Sequence, residues 1–281
     1  MFNAELLRGK LRGRILLPDS ADYDSARRLW NGRIDRHPAM IVQCLGVSDV
    51  IEVVRFANAQ TAPIAVRAGG HGVAGHAMID NGVVIDLSAL KGAFVHRESA
   101  TAWAQAGLLG NELDHETQQF GLATPLGTVS HTGISGLTLG GGYGWLSRRY
   151  GLASDNLLAV DVVTAEGEFL RADHDNRADL FWALRGGGGN FGIVTSFHYR
   201  LFELGPKVFG GSITFPIADA KAVLDFYREY THQCSDDVTM YLTFMHEARS
   251  ARVRRVIAVR PVRRRQCSTG CTLALTGHAH P

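Results

Sequence analysis

The 281-residue chain is 46% hydrophobic and carries a formal net charge of +2. This composition is sufficient to bury the core of one large or two medium domains. The chain has no run of about 18 apolar residues, which argues against a helical membrane span. Its first thirty residues lack the apolar stretch of a signal peptide, so a cytoplasmic location is expected. Four scattered cysteines are too few for a disulfide framework, and we predict that Cys44 is a small core residue.

The positive charge is concentrated at the end of the chain. Residues 246–281 contain eight arginines, no lysine and one acidic residue, which leaves residues 1–245 with a charge of about −5. Three interpretations compete: a basic arm for nucleic acid or membranes, a disordered terminus, or a non-native end produced by a frameshift or a misplaced gene boundary. We favour the last and expect neither a nucleic-acid nor a membrane partner. The spacing of Cys267, Cys271, His278 and His280 is not a common zinc pattern, so no metal site is expected.

Strands and helices alternate along most of the chain. Residues 1–36 are expected to form a lead-in helix. Strands are then predicted over 39–45, 64–68, 83–87, 100–106, 157–164 and 193–201, and helices over 48–59, 111–120 and 179–184, with Ser48 as the N-cap of the first helix. After Pro206, a strand over 210–215 and a helix over 219–230 predict the start of a further domain.

The most informative motif is the run Gly69, Gly70, His71 and Gly72 at the end of the predicted strand 64–68. Glycine tolerates positive φ and has no Cβ, so backbone N–H groups in such a turn can approach a pyrophosphate closely. Taken alone, the run is more often a tight turn with a solvated imidazole. Two further glycine-rich segments, 136–146 and 185–194, add bare backbone of the kind that a long anionic cofactor needs.

The pattern G-x-G-x-x-G occurs twice, from Gly70 to Gly75 and from Gly187 to Gly192. A Rossmann fold requires a strand before this pattern and a helix after it. The first copy leads into the predicted strand 83–87, and the second follows a helix and precedes a strand. Both copies are therefore rejected as Rossmann motifs.

Residues 37 to about 205 resemble the FAD-binding domain of the p-cresol methylhydroxylase and vanillyl-alcohol oxidase superfamily, in particular its berberine-bridge-enzyme-like oxidases. The resemblance implies an α/β (α+β) fold. In that fold a two-subdomain FAD-binding domain, about 37–90 and 91–205, is followed by a partial substrate domain at 206–245 and the atypical tail 246–281. The matching segments, in order, are 67–71, 85–88, 140–156, 179–188 and 190–195.

The resemblance also implies a covalent bond between His71 and the 8α-methyl group of the flavin. Some relatives have a second tether from a cysteine, but residues 127–133 contain none, so a single tether is expected. His131 replaces it and is expected to hydrogen-bond backbone or the flavin ribityl chain. The implied FAD-binding residues are Arg67, Ala68, Gly69, Gly70, His71, Gly72, Gly75 and His76 in the first loop, Thr128, Val129, His131, Thr132, Gly133, Gly136, Gly141, Gly142, Gly144, Trp145 and Leu146 along the pyrophosphate and flavin edge, and Gly192 and Val194 at the adenine end.

The implied function is an FAD-linked oxidoreductase. It would take a hydride from a carbon bearing a hydroxyl or amine in a small-molecule substrate and pass the electrons to dioxygen. Family members continue well past residue 281 into the part that carries the usual base, so only Tyr143, His131 and Tyr241 are candidate catalytic residues. The alternatives are a truncated, inactive FAD-binding fragment and, more remotely, a basic-tailed nucleic-acid-binding protein.

Overall fold

The structure, a computed structural model, describes residues 2–247, 250–256 and 260–261. A four-stranded sheet forms its first layer, in the order β1-β2-β4-β3, with β2 and β3 parallel to β4 and β1 antiparallel to β2. None of the helices in the described ranges has the length and apolarity needed to cross a membrane. The elements of this layer are β1 (Arg14–Leu16), α1 (Tyr23–Ala26), β2 (Met40–Gln43), α2 (Val47–Ala59), β3 (Ile64–Arg67) and β4 (Val83–Asp86).

The lead-in helix expected over residues 1–36 is wrong for the described residues 2–36, where a 3-10 turn (Ala4–Leu6) and the one-turn α1 are the only helical segments. Strand β1 joins the first sheet instead. The buried Asp49 carboxylate explains this, because it accepts the backbone N–H groups of Arg12 (2.9 Å) and Gly13 (3.1 Å) and fixes the lead-in chain against α2. Ser48 is not the N-cap either, since α2 already begins at Val47.

A five-stranded antiparallel sheet forms the second layer, in the order β5-β6-β10-β8-β9. Helix α2 contacts β4 of the first sheet and β8 of the second, so one hydrophobic core spans both layers. The elements are β5 (Ala93–His96), β6 (Thr101–Gln105), α3 (Gly110–Gln118), β7 (Leu122–Ala123), α4 (Ile134–Leu139), α5 (Ser147–Tyr150), β8 (Leu157–Val163), β9 (Phe169–Asp173), α6 (Ala178–Leu184), β10 (Ile193–Arg200) and β11 (Phe202–Glu203), the last paired with β7.

Several sequence predictions are confirmed by these layers. Strand β4 follows Gly75, and Gly192 lies between α6 and β10, so neither glycine pattern has the strand-then-helix context of a Rossmann motif. Cys44 is fully buried, and burial raises the pKa of its thiol. The expected division into two subdomains stays a prediction; the first of the two sheets begins with β1, before residue 37.

A smaller sheet with one helix follows. The strands β13-β15-β14 are antiparallel, and β12 pairs with β16. Strand β15 starts beyond residue 246 and lies between β13 and β14. The expected domain boundary at residue 246 is therefore wrong for residues 250–256. Adjacent arginines in β15 break the period of two by which the sequence would have predicted this strand. Residues 262–281, with Cys267, Cys271, His278 and His280, lie outside the described residues. The elements are β12 (Val208–Phe209), β13 (Ser212–Pro216), α7 (Ala220–Gln233), β14 (Tyr241–Glu247), β15 (Ser250–Val256) and β16 (Arg260–Pro261).

Candidate functional site

A buried ion pair fixes the strand ends beneath the glycine and histidine turn. Arg67 Nη1 lies 3.0 Å from Oδ2 of Asp86, whose side chain is completely buried. The other carboxylate oxygen of Asp86 accepts the backbone N–H of Ser88 at 2.9 Å. Because removing either partner would leave the other as an uncompensated charge with little access to water, the pair is a rigid support for the turn. The Arg67 side chain, which was predicted to bind the cofactor, is therefore mostly buried and paired with Asp86 beneath the turn.

Gly70 begins the turn that carries His71. Its φ of +63° lies in the left-handed region, where a side chain would add strain. Its carbonyl oxygen accepts the backbone N–H of Trp30 at 3.0 Å, which brings the lead-in segment over the turn. The chain is thus bent sharply at Gly70, and His71 projects next to Trp30.

The first glycine segment touches the loop 127–133, which leads into the second glycine segment, through the backbones of Gly69 and Gly133. A Cβ on Gly69 would lie 2.5 Å from the backbone nitrogen of Gly133, closer than any real Cβ contact. The second loop is held by the start of α3, where the N–H groups of Gly110 and Asn111 donate to the carbonyls of Thr132 (2.9 Å) and Ser130 (2.8 Å). Two loops that are far apart in sequence therefore form one continuous backbone surface.

His71 and His131 face each other across this crossing. Their Nε2 atoms are 3.2 Å apart, and their rings are tilted by 45° with centroids 5.0 Å apart. Trp30 stacks on His71, with centroids 4.5 Å apart and planes at 16°. Both histidines are at least partly exposed, so an external molecule can reach them.

The bare backbone of these loops fits a long, thin anionic ligand. A Cβ at Gly72 or Gly136 would meet nothing within 4 Å, so both glycines border open space. The exposed residues Thr128 and Val129 continue the same loop toward His131. Backbone N–H groups beside open space are the donors that a pyrophosphate uses. The residues present therefore fit the pyrophosphate and ring edge of a bound FAD.

The remaining predicted residues fall into packed and exposed groups. Gly75 is buried against Ile34, and His76 is exposed with no hydrogen bond in the described ranges. Val194 is buried in the core, so its side chain is closed to a ligand, and Gly192 packs against Val162. Ala68, Thr132 and Leu146 are half-buried, whereas Gly141, Gly142 and Gly144 are buried in the turn between α4 and α5.

The third glycine segment joins the other two through one hydrogen bond. The N–H of Gly188 donates to the carbonyl of Leu139 at the end of α4 (2.9 Å). Helix α4 is itself tied to the second sheet by a buried 2.7 Å hydrogen bond between Thr138 and Tyr199. The three glycine segments are therefore neighbours in space, as the sequence order alone could not establish.

Two of the candidate catalytic residues lie in one aromatic cluster. Tyr241 makes edge contacts with Tyr143 (centroids 5.8 Å apart) and Trp145 (4.7 Å). Burial raises the pKa of Tyr241, and the neighbouring Tyr143 raises it further. A raised pKa keeps the phenol protonated at neutral pH, so Tyr241 is suited to donate a hydrogen bond and not to act as a general base.

The cluster is held by contacts between α5 and the segment that precedes β14. Thr239 donates its hydroxyl to the carbonyl of Trp145 at 2.7 Å. Arg148 binds Asp236 (3.0 Å) and the carbonyl of Val238 (3.1 Å). These contacts place the smaller sheet beside the glycine segments.

Sequence reasoning missed Trp30 and the structural importance of Asp86. Trp30 contacts His71 through the chain reversal at Gly70, and no local pattern around Trp30 signals this. Asp86 gave a usable signal, since a charged residue follows three apolar ones in a fully buried strand. An unpaired charge in such a strand is costly, so a basic partner such as Arg67 was to be expected.

The chain is similar in sequence to known flavin-dependent proteins. Residues 38–173 match the family model of an FAD binding domain. The chain is 39% identical over 204 residues to (R)-6-hydroxynicotine oxidase of Paenarthrobacter nicotinovorans, which covers 73% of this chain and 44% of that protein. It is 35% identical over 240 residues to an uncharacterized FAD-linked oxidoreductase of Bacillus subtilis, covering 84% and 53%.

Solved structures of flavin-dependent proteins are also similar to this chain. The crystal structure of 6-hydroxy-D-nicotine oxidase from Arthrobacter nicotinovorans superposes with a TM-score of 0.85 at 33% identity, covering 89% of this chain and 56% of that one. BBE-like 1 of Physcomitrella patens gives a TM-score of 0.84 at 25% identity, covering 90% and 56%.

The fold and the site define a flavoprotein domain of the p-cresol methylhydroxylase type, as the sequence predicted. The chain is similar to FAD-linked oxidoreductases that carry this domain. It spans about half the length of the relatives it matches.

Proposed function

We propose that this chain is the FAD-binding part of an oxidoreductase that holds its flavin covalently through His71 alone. The observation that carries the proposal is the position of His71, which follows β3 and stands over the crossing of Gly69 and Gly133, between Trp30 and His131. No cysteine occurs in residues 127–133, which favours a single tether.

Each part of the site has its own task in this proposal. The backbone around Gly72 and Gly136 binds the pyrophosphate, while the loop 128–133 and Trp145 border the flavin edge. Bound FAD supplies a two-electron acceptor for a hydride. The Arg67 and Asp86 pair keeps the turn rigid, and Trp30 limits the rotation of the His71 ring.

The substrate in this proposal is a small molecule with a hydrogen on a carbon that bears a hydroxyl or amine, and dioxygen is the final acceptor. The curated relative and the solved structure that are named as hydroxynicotine oxidases support an oxidase of this kind. In this proposal the exposed Tyr143 orients a substrate by hydrogen bonding, and Tyr241 packs against it. The proposal assigns no general base among the residues that the structure describes. The cytoplasmic location and the absence of a nucleic-acid partner stay predictions from the sequence.

A second candidate, an FAD-binding fragment without turnover, is favoured by the surface of the smaller sheet and α7. Phe226 is 55% exposed and Phe244 is 51% exposed. An apolar cavity of about 330 Å³ lies between α7 and this sheet and is lined in part by Phe226 and Tyr230. Apolar surface of this kind marks a missing contact or an aggregation risk. Such a fragment would bind FAD but would not reduce it with any substrate.

Acid precipitation tests the covalent link. Wild-type protein is expected to retain flavin fluorescence after denaturation, whereas His71→Ala loses it. His115→Ala is the matched control, because His115 is an exposed histidine on α3, outside the predicted cofactor-binding residues, and should not affect retention. Retention by His71→Ala would overturn the tether. Covalent flavin that no amine or alcohol reduces under anaerobic conditions would favour the fragment over the enzyme.

A further inference from the structure

The contact between His71 and His131 has two forms. Neutral imidazole carries a proton on one nitrogen and a lone pair on the other. Two Nε2 atoms 3.2 Å apart share one proton, so either His71 donates to His131 or His131 donates to His71. The two forms leave different atoms of His71 available for a reaction.

Only one of these forms leaves a free lone pair on His71. When His71 donates from Nε2, its Nδ1 is unprotonated, and no hydrogen bond to this atom is found within the described residues. When His71 accepts at Nε2, the proton occupies Nδ1 and the lone pair of Nε2 is already engaged. Stacking on Trp30 restricts the rotation that would exchange the two nitrogens.

We propose that His131 is a positioning residue for flavin attachment: it accepts the Nε2 proton of His71 and holds Nδ1 as the bare nitrogen that joins the flavin. This inference rests on the proposed covalent link and adds a residue and an atom to it. The supporting geometry is the Nε2 to Nε2 contact on one side of the ring and the Trp30 stack on its face.

The chemistry balances as follows. Attachment replaces one N–H bond of the imidazole and one C–H bond of the 8α-methyl group by a C–N bond. The proton on Nε2 passes to His131 as Nδ1 becomes substituted, and it leaves to solvent because His131 is exposed. The proton of the broken C–H bond also leaves to solvent, and the two electrons released reduce the flavin ring. Dioxygen then takes up two electrons and two protons and is reduced to hydrogen peroxide.

The tautomer can be measured without any flavin. Full-length protein labelled with 15N-histidine and produced in a riboflavin-depleted host gives imidazole nitrogen resonances, and His71→Ala identifies the signal of His71. We expect a protonated Nε2 and a bare Nδ1 on His71, and a mixture of tautomers in His131→Ala. A protonated Nδ1 on His71, or a tautomer that is unchanged in His131→Ala, would overturn the proposal.

Attachment provides the second readout. FAD is added to the flavin-free protein, and bound and acid-stable flavin are measured separately over time. His131→Ala should bind FAD but attach it at least about tenfold more slowly, since a lost proton acceptor typically costs this much or more. His131→Gln should recover part of the rate, because its amide oxygen can accept the Nε2 proton. A normal rate in His131→Ala counts against the role of His131.

The two proposals fail in different ways. If the wild-type protein binds FAD and never attaches it, the covalent part of the proposed function fails. His131 then has no attachment reaction to assist, whichever nitrogen of His71 carries the proton. If attachment occurs with the opposite tautomer, the proposed function stands and the role of His131 is wrong. Trp30→Phe is the matched control, since it keeps a ring over His71 and should leave the tautomer unchanged.

Discussion

Helices α2 and α7 have similar lengths and very different surroundings. Helix α2 spans 13 residues and buries Val50, Val53 and Phe56 between the two sheets of the FAD-binding domain. Helix α7 spans 14 residues and buries only Val223. Phe56 is 7% exposed in the first helix, whereas Phe226 is 55% exposed in the second. Both helices have an apolar face, but only α2 has a complete partner surface.

The difference shows which part of the chain is self-sufficient. Helical stability in proteins comes mainly from packing of the apolar face and much less from intrinsic propensity. The region up to residue 205 supplies this packing from its own sheets. The described residues from 206 to 244 leave much of their apolar surface exposed.

The largest expected effect is in the self-sufficient region, at Asp86. Asp86→Ala leaves Arg67 without its partner in a poorly hydrated position, and we expect it to lower the free energy of unfolding by about 3–5 kcal/mol. Urea denaturation followed by circular dichroism measures this. Asp225→Ala is the control, because Asp225 pairs with Lys221 on the surface of α7 and should leave the transition unchanged. Equal effects of the two substitutions would contradict the proposed support.

The second prediction compares the two helices directly. Phe56→Ala removes a buried ring and should cost about 3 kcal/mol. Phe226→Ala removes an exposed ring and should change the stability by less than about 0.5 kcal/mol. Phe226→Ser should also raise solubility, as measured by light scattering. A large loss of stability from Phe226→Ala would mean that α7 is packed in solution, and the comparison would fail.

The third prediction concerns the two kinds of glycine in the cofactor loop. Gly69→Ala forces a Cβ onto the backbone of Gly133 and should cost about 1–3 kcal/mol. Gly72→Ala places a Cβ in open space, so it should fold normally. If the open side of Gly72 accommodates the cofactor, Gly72→Ala will still weaken FAD binding, as flavin absorbance of the purified protein measures. Unchanged FAD binding in Gly72→Ala would remove that residue from the site.

Local signals in the sequence predicted much of the fold and the site. The apolar runs at 64–68 and 83–87 predicted two strands, each of which ends one residue earlier in the structure, and the glycine runs predicted loops. The missed features depend on pairing across long stretches of chain. Strand β1 is held by Asp49, and Trp30 reaches His71 through a turn that no pattern near residue 30 announces. The contact of His131 with His71 joins residues 60 apart and likewise has no local signature.

The smallest expected effect lies where the two regions meet, at Arg148. Its guanidinium donates to the carbonyl of Val238 at 3.1 Å and to Asp236 at 3.0 Å, and it is only 29% exposed. Losing these bonds in Arg148→Ala should cost about 1 kcal/mol of local stability, because Asp236 is well exposed and regains water.

Hydrogen exchange measures this local effect. The amides of 234–241 should exchange roughly fivefold faster in Arg148→Ala, while those of β8 and β10 keep their protection. Arg149→Ala is the matched control, since Arg149 makes a single 2.7 Å ion pair with Asp237 and should have the weaker effect. If faster exchange spread to β10, the two regions would unfold as one unit, and the division between a self-sufficient domain and a dependent one would be wrong.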